Sequence, residues 1–392
     1  MRCRICGEWH CKKHSLLLNN VTRTWEFSGS SPPEVFVGRW NYPNVYFGVL
    51  SPPEHGDTAH LSSYEIWHKK RYSSSYILSL RRRLIYARTQ GNVKKLASNS
   101  WKSSKLVEGI RELAMSSRPT AGSYKLKKLP SANPEKEKSV PIIPQAAPLE
   151  ALKLEENPKV ERKVDYLAHD TDAKASNAML ELARASVPTS TIIKLLSVGL
   201  LGQGTRRKFV PTRWAITATD STLSEKKIEK IKSYPEIQDF IVFSAEYLGN
   251  HYEFLLLPDK FAFEVIEISH RGGVWHDHEG IFKRKTYAAS VTGAYYANRL
   301  ALGEYLEKVK RQAACLVFRE IKPSYEHSLG VGILRELSRE AFARPPRKFA
   351  SLTQALEHIR SKLQLPLEQF TSRSFLLRAF RTQTKILSFF PK

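Results

Sequence analysis

Cysteine is scarce in this chain and wrongly placed for cross-links. There are 4 Cys in 392 residues. Cys3, Cys6 and Cys11 crowd the first eleven positions and Cys315 stands alone, a distribution that excludes a disulfide framework. There is no run of about 18 apolar residues, so no membrane span is expected. Cysteines stand where the apolar part of a secretory leader would lie, so the expected location is inside the cell. Acid is also short, with 38 Asp and Glu against 62 Lys and Arg, a net charge of +24. A heat-adapted surface would match its Lys and Arg with Glu, so the shortage of acid points to a polyanionic partner.

The basic excess is uneven. The first 130 residues hold 22 Lys or Arg against 8 Asp or Glu and so carry +14 of the +24. Five of the seven Trp also fall at or before Trp101. Positive charge interleaved with aromatic rings suits phosphate contact combined with base stacking. Lys69, Lys70 and Arg71, followed by Arg81, Arg82 and Arg83, are the candidate nucleic-acid contacts. The last three cover nearly every face of a helix expected over 64–88.

The N-terminus packs Cys3, Cys6, His10, Cys11 and His14 into twelve residues. Cys3 and Cys6 form a Cys-x-x-Cys pair followed by Gly7, and Cys11 and His14 repeat the spacing. Cys3, Cys6, Cys11 and His14 could close a tetrahedral Zn2+ site, with His10 as the alternative fourth ligand. A closed four-ligand site is structural, and it would hold together a segment too short for its own core.

The expected fold class is α+β, a mixed helix and sheet core of two parts with a short zinc element and a flexible C-terminal tail. Residues 1–16 are the zinc-binding element and 17–116 a basic N-terminal domain. A Pro- and Lys-rich connection covers 117–165, a C-terminal α+β domain 166–370, and the tail 371–392. Apolar alternation over 35–37 and 45–49 predicts a hairpin. Further helices are expected over 92–116, 170–186, 189–197, 224–233, 293–312 and 352–363. Strands are expected over 209–220, 238–247, 251–258, 261–269 and 313–321, with Gly249-Asn250 as a turn.

Gln383, Ile386, Phe389 and Phe390 near the C-terminus fall at i, i+3, i+6 and i+7. One helical turn gathers the aliphatic side chain and both rings on one side, as a plug for a partner's groove. The pattern resembles the interaction motif of the sliding clamp PCNA, and implies the clamp as partner. The competing expectation is a terminal helix folded back on the core.

Arg39 after Gly38 and Arg213 beside Trp214 are candidate phosphate clamps, because a guanidinium grips two phosphate oxygens in a fork. Asp57, Asp220 and Glu264 are the acidic candidates. A phosphodiesterase or nuclease would need carboxylates around a metal, or a His and carboxylate pair, and no close spacing marks one. His276-Asp277-His278-Glu279 is the densest titratable cluster. Its two His could bind metal, but a solvated loop after Gly272-Gly273 is the favoured reading.

Several runs resemble the archaeal Nre DNA-repair family. They are Pro32–Pro43, Leu196–Gly202, Val210–Ala218, Leu248-Gly-Asn250 and Gly293–Ala297. This resemblance implies a cytoplasmic, nucleoid-associated DNA-damage repair protein with an N-terminal zinc element and a PCNA-binding tail. A distant likeness to ADP-ribosyltransferase-like α+β folds is a further expectation for the fold. A clamp-tethered DNA binder is the first functional expectation. The alternative is a phosphodiesterase or nuclease-type enzyme using Arg39, Asp57, Arg213 and Asp220.

Overall fold

The structure is a computed structural model, and it describes residues 22–95, 104–132 and 137–382. Cys3, Cys6, Cys11 and His14, and the motif Gln383, Ile386, Phe389 and Phe390, lie outside the described residues. The chain divides into two units, Met1–Leu223 with His327–Ile333, and Ser224–Glu326 with Leu334–Lys392.

The first unit is built on a six-stranded mixed sheet: β1 (Glu26–Ser31), β2 (Glu34–Val37), β3 (Asn44–Ser51), β4 (Ile85–Asn92), β5 (Thr120–Leu126) and β6 (Gln145–Leu154). Its order is β1-β5-β6-β4-β3-β2, with β4 and β6 parallel and the other neighbours antiparallel. The expected 35–37 and 45–49 hairpin is β2–β3. Gly48 lets β3 and β4 approach, since a Cβ there would lie 2.0 Å from the Ala87 carbonyl. Helices α1 (Tyr64–Lys69), α2 (Ser74–Arg82), α3 (Lys105–Met115), α4 (Arg162–His169), α5 (Ala175–Arg184) and α6 (Thr189–Ser197) complete this part. α3 and α6 both lie against β2, and α3 also meets β6. The core includes Val35, Val37, Phe47, Val49, Trp67, Leu84, Ile110, Leu113 and Ile192.

Three expectations for this region change. The 117–165 connection is not a linker, because it supplies β5 and β6 to the sheet. Its Pro content misleads because Pro148 sits at the last β4–β6 pair, beside a register shift in the β5–β6 ladder, where no ladder N–H is needed. The single helix over 64–88 is two helices and a strand. Arg71 takes φ +53 and ends α1, the Ser73 side chain caps α2 by accepting from Tyr76 N, and β4 starts at Ile85. The strand over 209–220 is instead the start of α7 (Thr212–Ile231). Thr212, Ala215, Ile216, Thr219, Leu223, Ile228 and Ile231 are buried at helical spacing, and no Gly or Pro interrupts them.

The second unit holds the other mixed sheet: β7 (Phe240–Tyr247), β8 (Asn250–Leu257), β9 (Ala262–Ser269), β10 (Val274–Glu279), β11 (Ala314–Ile321) and β12 (Arg347–Phe349). Its order is β10-β9-β11-β8-β7-β12, with only the β9–β11 pair parallel. α8 (Gly293–Val309) is buried along most of its length, and Tyr295 meets Phe263 of β9 edge-on at 5.0 Å. α9 (Val331–Ala343) follows β11, and the division between the units falls inside α7 and α9.

The opposite face carries Val242, Leu255, Ile266, Leu316 and Phe318. These pack with Leu356 and Ile359 of α10 (Leu352–Arg360), Phe370 of α11 (Glu368–Thr371), and Leu376 and Leu377 of α12 (Phe375–Thr382). The tail expected to be flexible from Thr371 is therefore helical over Phe375–Thr382 and docked through Leu376, Leu377 and Phe380. Two buried glutamates hold this layer by its backbone. Glu320 accepts from Gln364 N and Leu365 N, and Glu264 from Phe375 N and Leu376 N. The α+β class expected from the sequence is borne out, and no helix among the described residues is long and apolar enough to cross a membrane.

Candidate nucleic-acid interface

The β2–β3 turn runs from Gly38 to Pro43 and is closed by Gly38 N donating to Tyr46 O and Asn44 N to Asn41 O. Asn41 is left-handed at φ +62, and the Tyr42-Pro43 peptide is cis. Trp40 and Tyr42 stand out from this turn at 53% and 41% exposure. β2 is an edge strand, and Val37 N donates to Thr212 Oγ1 at 2.9 Å. That bond sets the first turn of α7 against the hairpin. Trp214, half exposed, then meets Tyr42 with ring centres 5.0 Å apart.

Glu137 joins the two candidate arginines. Arg39 Nε donates to Glu137 Oε2 at 2.7 Å, and Arg213 Nη1 lies 3.5 Å from Glu137 Oε1. The carboxylate side chain is 3% exposed, whereas Arg39 and Arg213 keep 31% and 27% of theirs in solvent. One buried carboxylate thus fixes two guanidinium groups that retain open N–H donors and a net positive charge. The Arg39 guanidinium also lies over Trp40 at 4.2 Å, and Arg88 over Tyr46 at 4.2 Å. Ring faces for bases and forks for phosphates lie together, without a carboxylate free to act as a base at Glu137.

Loops that matched the family runs support this patch. Val210 N donates to Ser197 O, and Arg111 Nε to Val198 O. Gly199, at φ +69, faces the Lys208 carbonyl where a Cβ would sit 2.9 Å away. Val331 N donates to Ser139 O, two residues beyond Glu137.

The other candidates lie elsewhere. Asp57 follows the far end of β3, roughly 27 Å of strand from the turn, and its side chain accepts from Ala59 N. Asp220 is fully buried in α7, seven residues and about 10 Å along the helix from Arg213. The four proposed catalytic groups therefore form one pair, Arg39 with Arg213, and two separate carboxylates. Arg81 is not a surface contact. It is fully buried, forked onto Glu34 at 2.6 and 3.2 Å, and donates to Ile142 O and Ser62 Oγ. Arg82 is half-buried, and Arg83 is exposed and paired with Glu54. Lys69, Lys70 and Arg71 are exposed around the end of α1.

Glu137 carries no mark in the sequence. It stands in the alternating run Glu135-Lys-Glu-Lys138, where nothing separates a buried acid from a solvated one. His276 and His278, expected in a solvated loop, both lie on the edge strand β10. His276 Nε2 donates to Glu264 Oε1 at 2.6 Å, and His278 stacks on Phe375 at 4.4 Å. Burial alone would raise the Glu264 pKa. Hydrogen bonds from His276, Ser374, Leu376 and Phe375 outweigh that and hold it below the usual carboxylate range. Burial lowers the His278 pKa.

The resemblance noted in the motifs extends along the chain. The family profile described as Archaeal Nre, N-terminal, matches residues 2–276, and that described as Archaeal Nre, C-terminal, matches 279–389. The chain belongs to the archaeal Nre family. It is similar to the DNA repair protein NreB of Archaeoglobus fulgidus, with 33% identity over 389 residues, 97% of this chain and 96% of that protein. The DNA repair protein NreA of the same organism is 32% identical over 362 residues, 90% of each chain. The DNA repair protein NreA of Haloferax volcanii is 32% identical over 369 residues, 90% of this chain and 87% of that protein. No solved structure matches the chain.

Proposed function

We propose that this Nre-family chain is a DNA-repair protein that binds nucleic acid at the β2–β3 turn and the first turn of α7. Its C-terminal motif recruits it to the sliding clamp PCNA and so keeps it at the nucleoid. The observation that carries the binding role is the Arg39–Glu137–Arg213 bridge set among the exposed rings of Trp40, Tyr42 and Trp214. The names of the relatives, DNA repair proteins NreA and NreB, supply the repair context. Lys69, Lys70 and Arg71 extend the phosphate contacts. Binding is favoured over phosphodiester cleavage because Glu137 is committed to both arginines and Asp57 and Asp220 stand apart from them. We also assign a structural zinc to Cys3, Cys6, Cys11 and His14, on their spacing.

The binding role is tested by salt titration with a short single-stranded DNA. On a single strand each phosphate contact contributes about 0.7 of a unit to the slope of log K against log salt. Arg39→Gln with Arg213→Gln should lower the slope by about 1.4, and Trp214→Ala should cost about 1–3 kcal/mol of affinity. An unchanged slope in the double variant would remove this surface from the DNA path. The clamp role is separate: Phe389→Ala with Phe390→Ala should abolish PCNA binding and leave DNA binding and folding intact. A moderate DNA binder gains effective concentration from such a tether.

A further inference from the structure

We propose that Glu264, His276 and His278 form a site for a divalent cation of the zinc type, which clamps the start of α12 to the edge of the second sheet. β10 is an edge strand, and residues two apart on a strand share a face. The β9–β10 register sets His278 opposite Glu264 and His276 opposite Ile266. Two imidazoles from one strand and a carboxylate from the next thus meet on one face, with their ligand atoms all within 4.8 Å of one another.

The donor set and spacing fit such an ion. Two His nitrogens and one carboxylate suit Zn2+, Co2+ or Ni2+ and leave a tetrahedral position open to water. Metal–ligand distances near 2.1 Å place neighbouring ligand atoms of a tetrahedron about 3.4 Å apart. The 2.6 Å contact between His276 Nε2 and Glu264 Oε1 would open by less than about 1 Å to admit the ion. The ion takes the place of the proton shared by those two atoms, and that proton leaves to solvent.

Glu264 is already oriented for the task. Ser374 Oγ donates to it at 2.5 Å, Phe375 N at 2.6 Å and Leu376 N at 3.0 Å. Outer hydrogen bonds of this kind fix a ligating carboxylate and raise its affinity for metal. The approach is open, since Glu264 is buried, His276 half-buried and His278 exposed. The nearby charge of Arg284 is taken up by Asp277 at 3.0 Å. Both the Glu264 bonds and the His278 ring engage the first residues of α12, so an ion here ties β9, β10 and α12 together. It would set how readily the segment from Phe375 onward leaves the sheet. This site shares no ligand with the N-terminal cysteine set.

The test uses the full-length chain and Zn2+ or Co2+ alone. His278→Phe keeps an aromatic ring against Phe375 and removes one ligand, and His276→Gln removes another. In equilibrium dialysis both variants should hold one zinc equivalent fewer than the parent chain. With Co2+, the lost equivalent should show visible ligand-field bands without thiolate charge transfer. Zinc should raise hydrogen-exchange protection across 375–382 in the parent and not in His278→Phe. Equal zinc equivalents in parent and variants would overturn the proposal, as would thiolate charge transfer for the equivalent in question or an equal protection gain in His278→Phe.

Discussion

Arg39 and Arg213 in the first unit keep 31% and 27% of their side chains in solvent, while Arg319 and Arg299 in the second keep 5% and 2%. All four are tied to carboxylates, so pairing alone is not the difference. Arg319 donates to Glu267 Oε1 and twice to Asn250 Oδ1, and Arg299 forks its Nη1 onto both oxygens of Glu279. Burial alone would lower the Arg319 pKa, but Glu267 beside it more than reverses that, and the guanidinium stays charged. Around the β2–β3 turn one carboxylate serves two guanidinium groups. The ratio of acceptors to donors therefore separates arginines that shape the fold from arginines that can meet a ligand. Arg81, in the first unit, belongs with the former.

The sharpest way to break this comparison is to truncate both kinds. Removing one partner of a buried pair strands the other charge, so Arg319→Ala and Arg81→Ala should each cost about 3–5 kcal/mol of stability. Arg39→Ala should cost less than either, because Arg213 and the Ser139 N–H still serve the buried Glu137 carboxylate. Urea unfolding measures all three, and the DNA affinity of Arg39→Ala supplies the converse readout. Equal destabilisation by Arg39→Ala and Arg319→Ala would erase the distinction.

That distinction explains what could be read in advance. Four strands of the second sheet were legible because β7, β8, β9 and β11 are largely apolar, and the β7–β8 turn is Leu248-Gly249, one residue before the expected Gly249-Asn250. Arg39 and Arg213 stood out through their Gly and Trp neighbours and lie on one carboxylate. Glu137 was invisible, because a buried acid among Lys and Glu has no local signature and its burial is decided by residues about 100 positions upstream. Arg81 was misjudged for the converse reason, since Glu34 covers it from 47 residues away. β5 and β6 were hidden by Pro content that the sheet tolerates at a single register break.

A second, smaller contrast lies within the second sheet, where Glu264 holds α12 by hydrogen bonds to a carboxylate whose pKa is depressed. A group lowered in the folded state stabilises it above the ordinary carboxylate pKa. That contribution is lost as pH falls through the lowered value. Amide protection at Phe375 and Leu376 should therefore drop on acidification below the usual carboxylate range. Glu264→Gln should reduce it at neutral pH, by about 1.5–3 kcal/mol for hydrogen bonds to a charged group, and flatten the acid dependence. Hydrogen exchange across pH 3–7 checks both; protection with an unchanged acid limb in Glu264→Gln would assign the pH response to another group.

The smallest expected effect bears most directly on the first unit. Thr212 Oγ1 accepts from Val37 N on the edge of β2, and this bond places Trp214 beside Tyr42 and Arg213 beside Glu137. Thr212→Val keeps the shape and removes the acceptor, leaving the Val37 N–H unpaired, at a cost of about 1 kcal/mol in stability. If the rings and guanidinium groups act as one surface, the variant should also lose a few-fold in single-strand affinity with its salt slope unchanged, because no phosphate contact has been deleted. Thr212→Ser, which restores the acceptor, should recover it. A loss of slope in Thr212→Val would instead mean that the hairpin bond holds the phosphate contacts, and that stacking and charge neutralisation are not separable there.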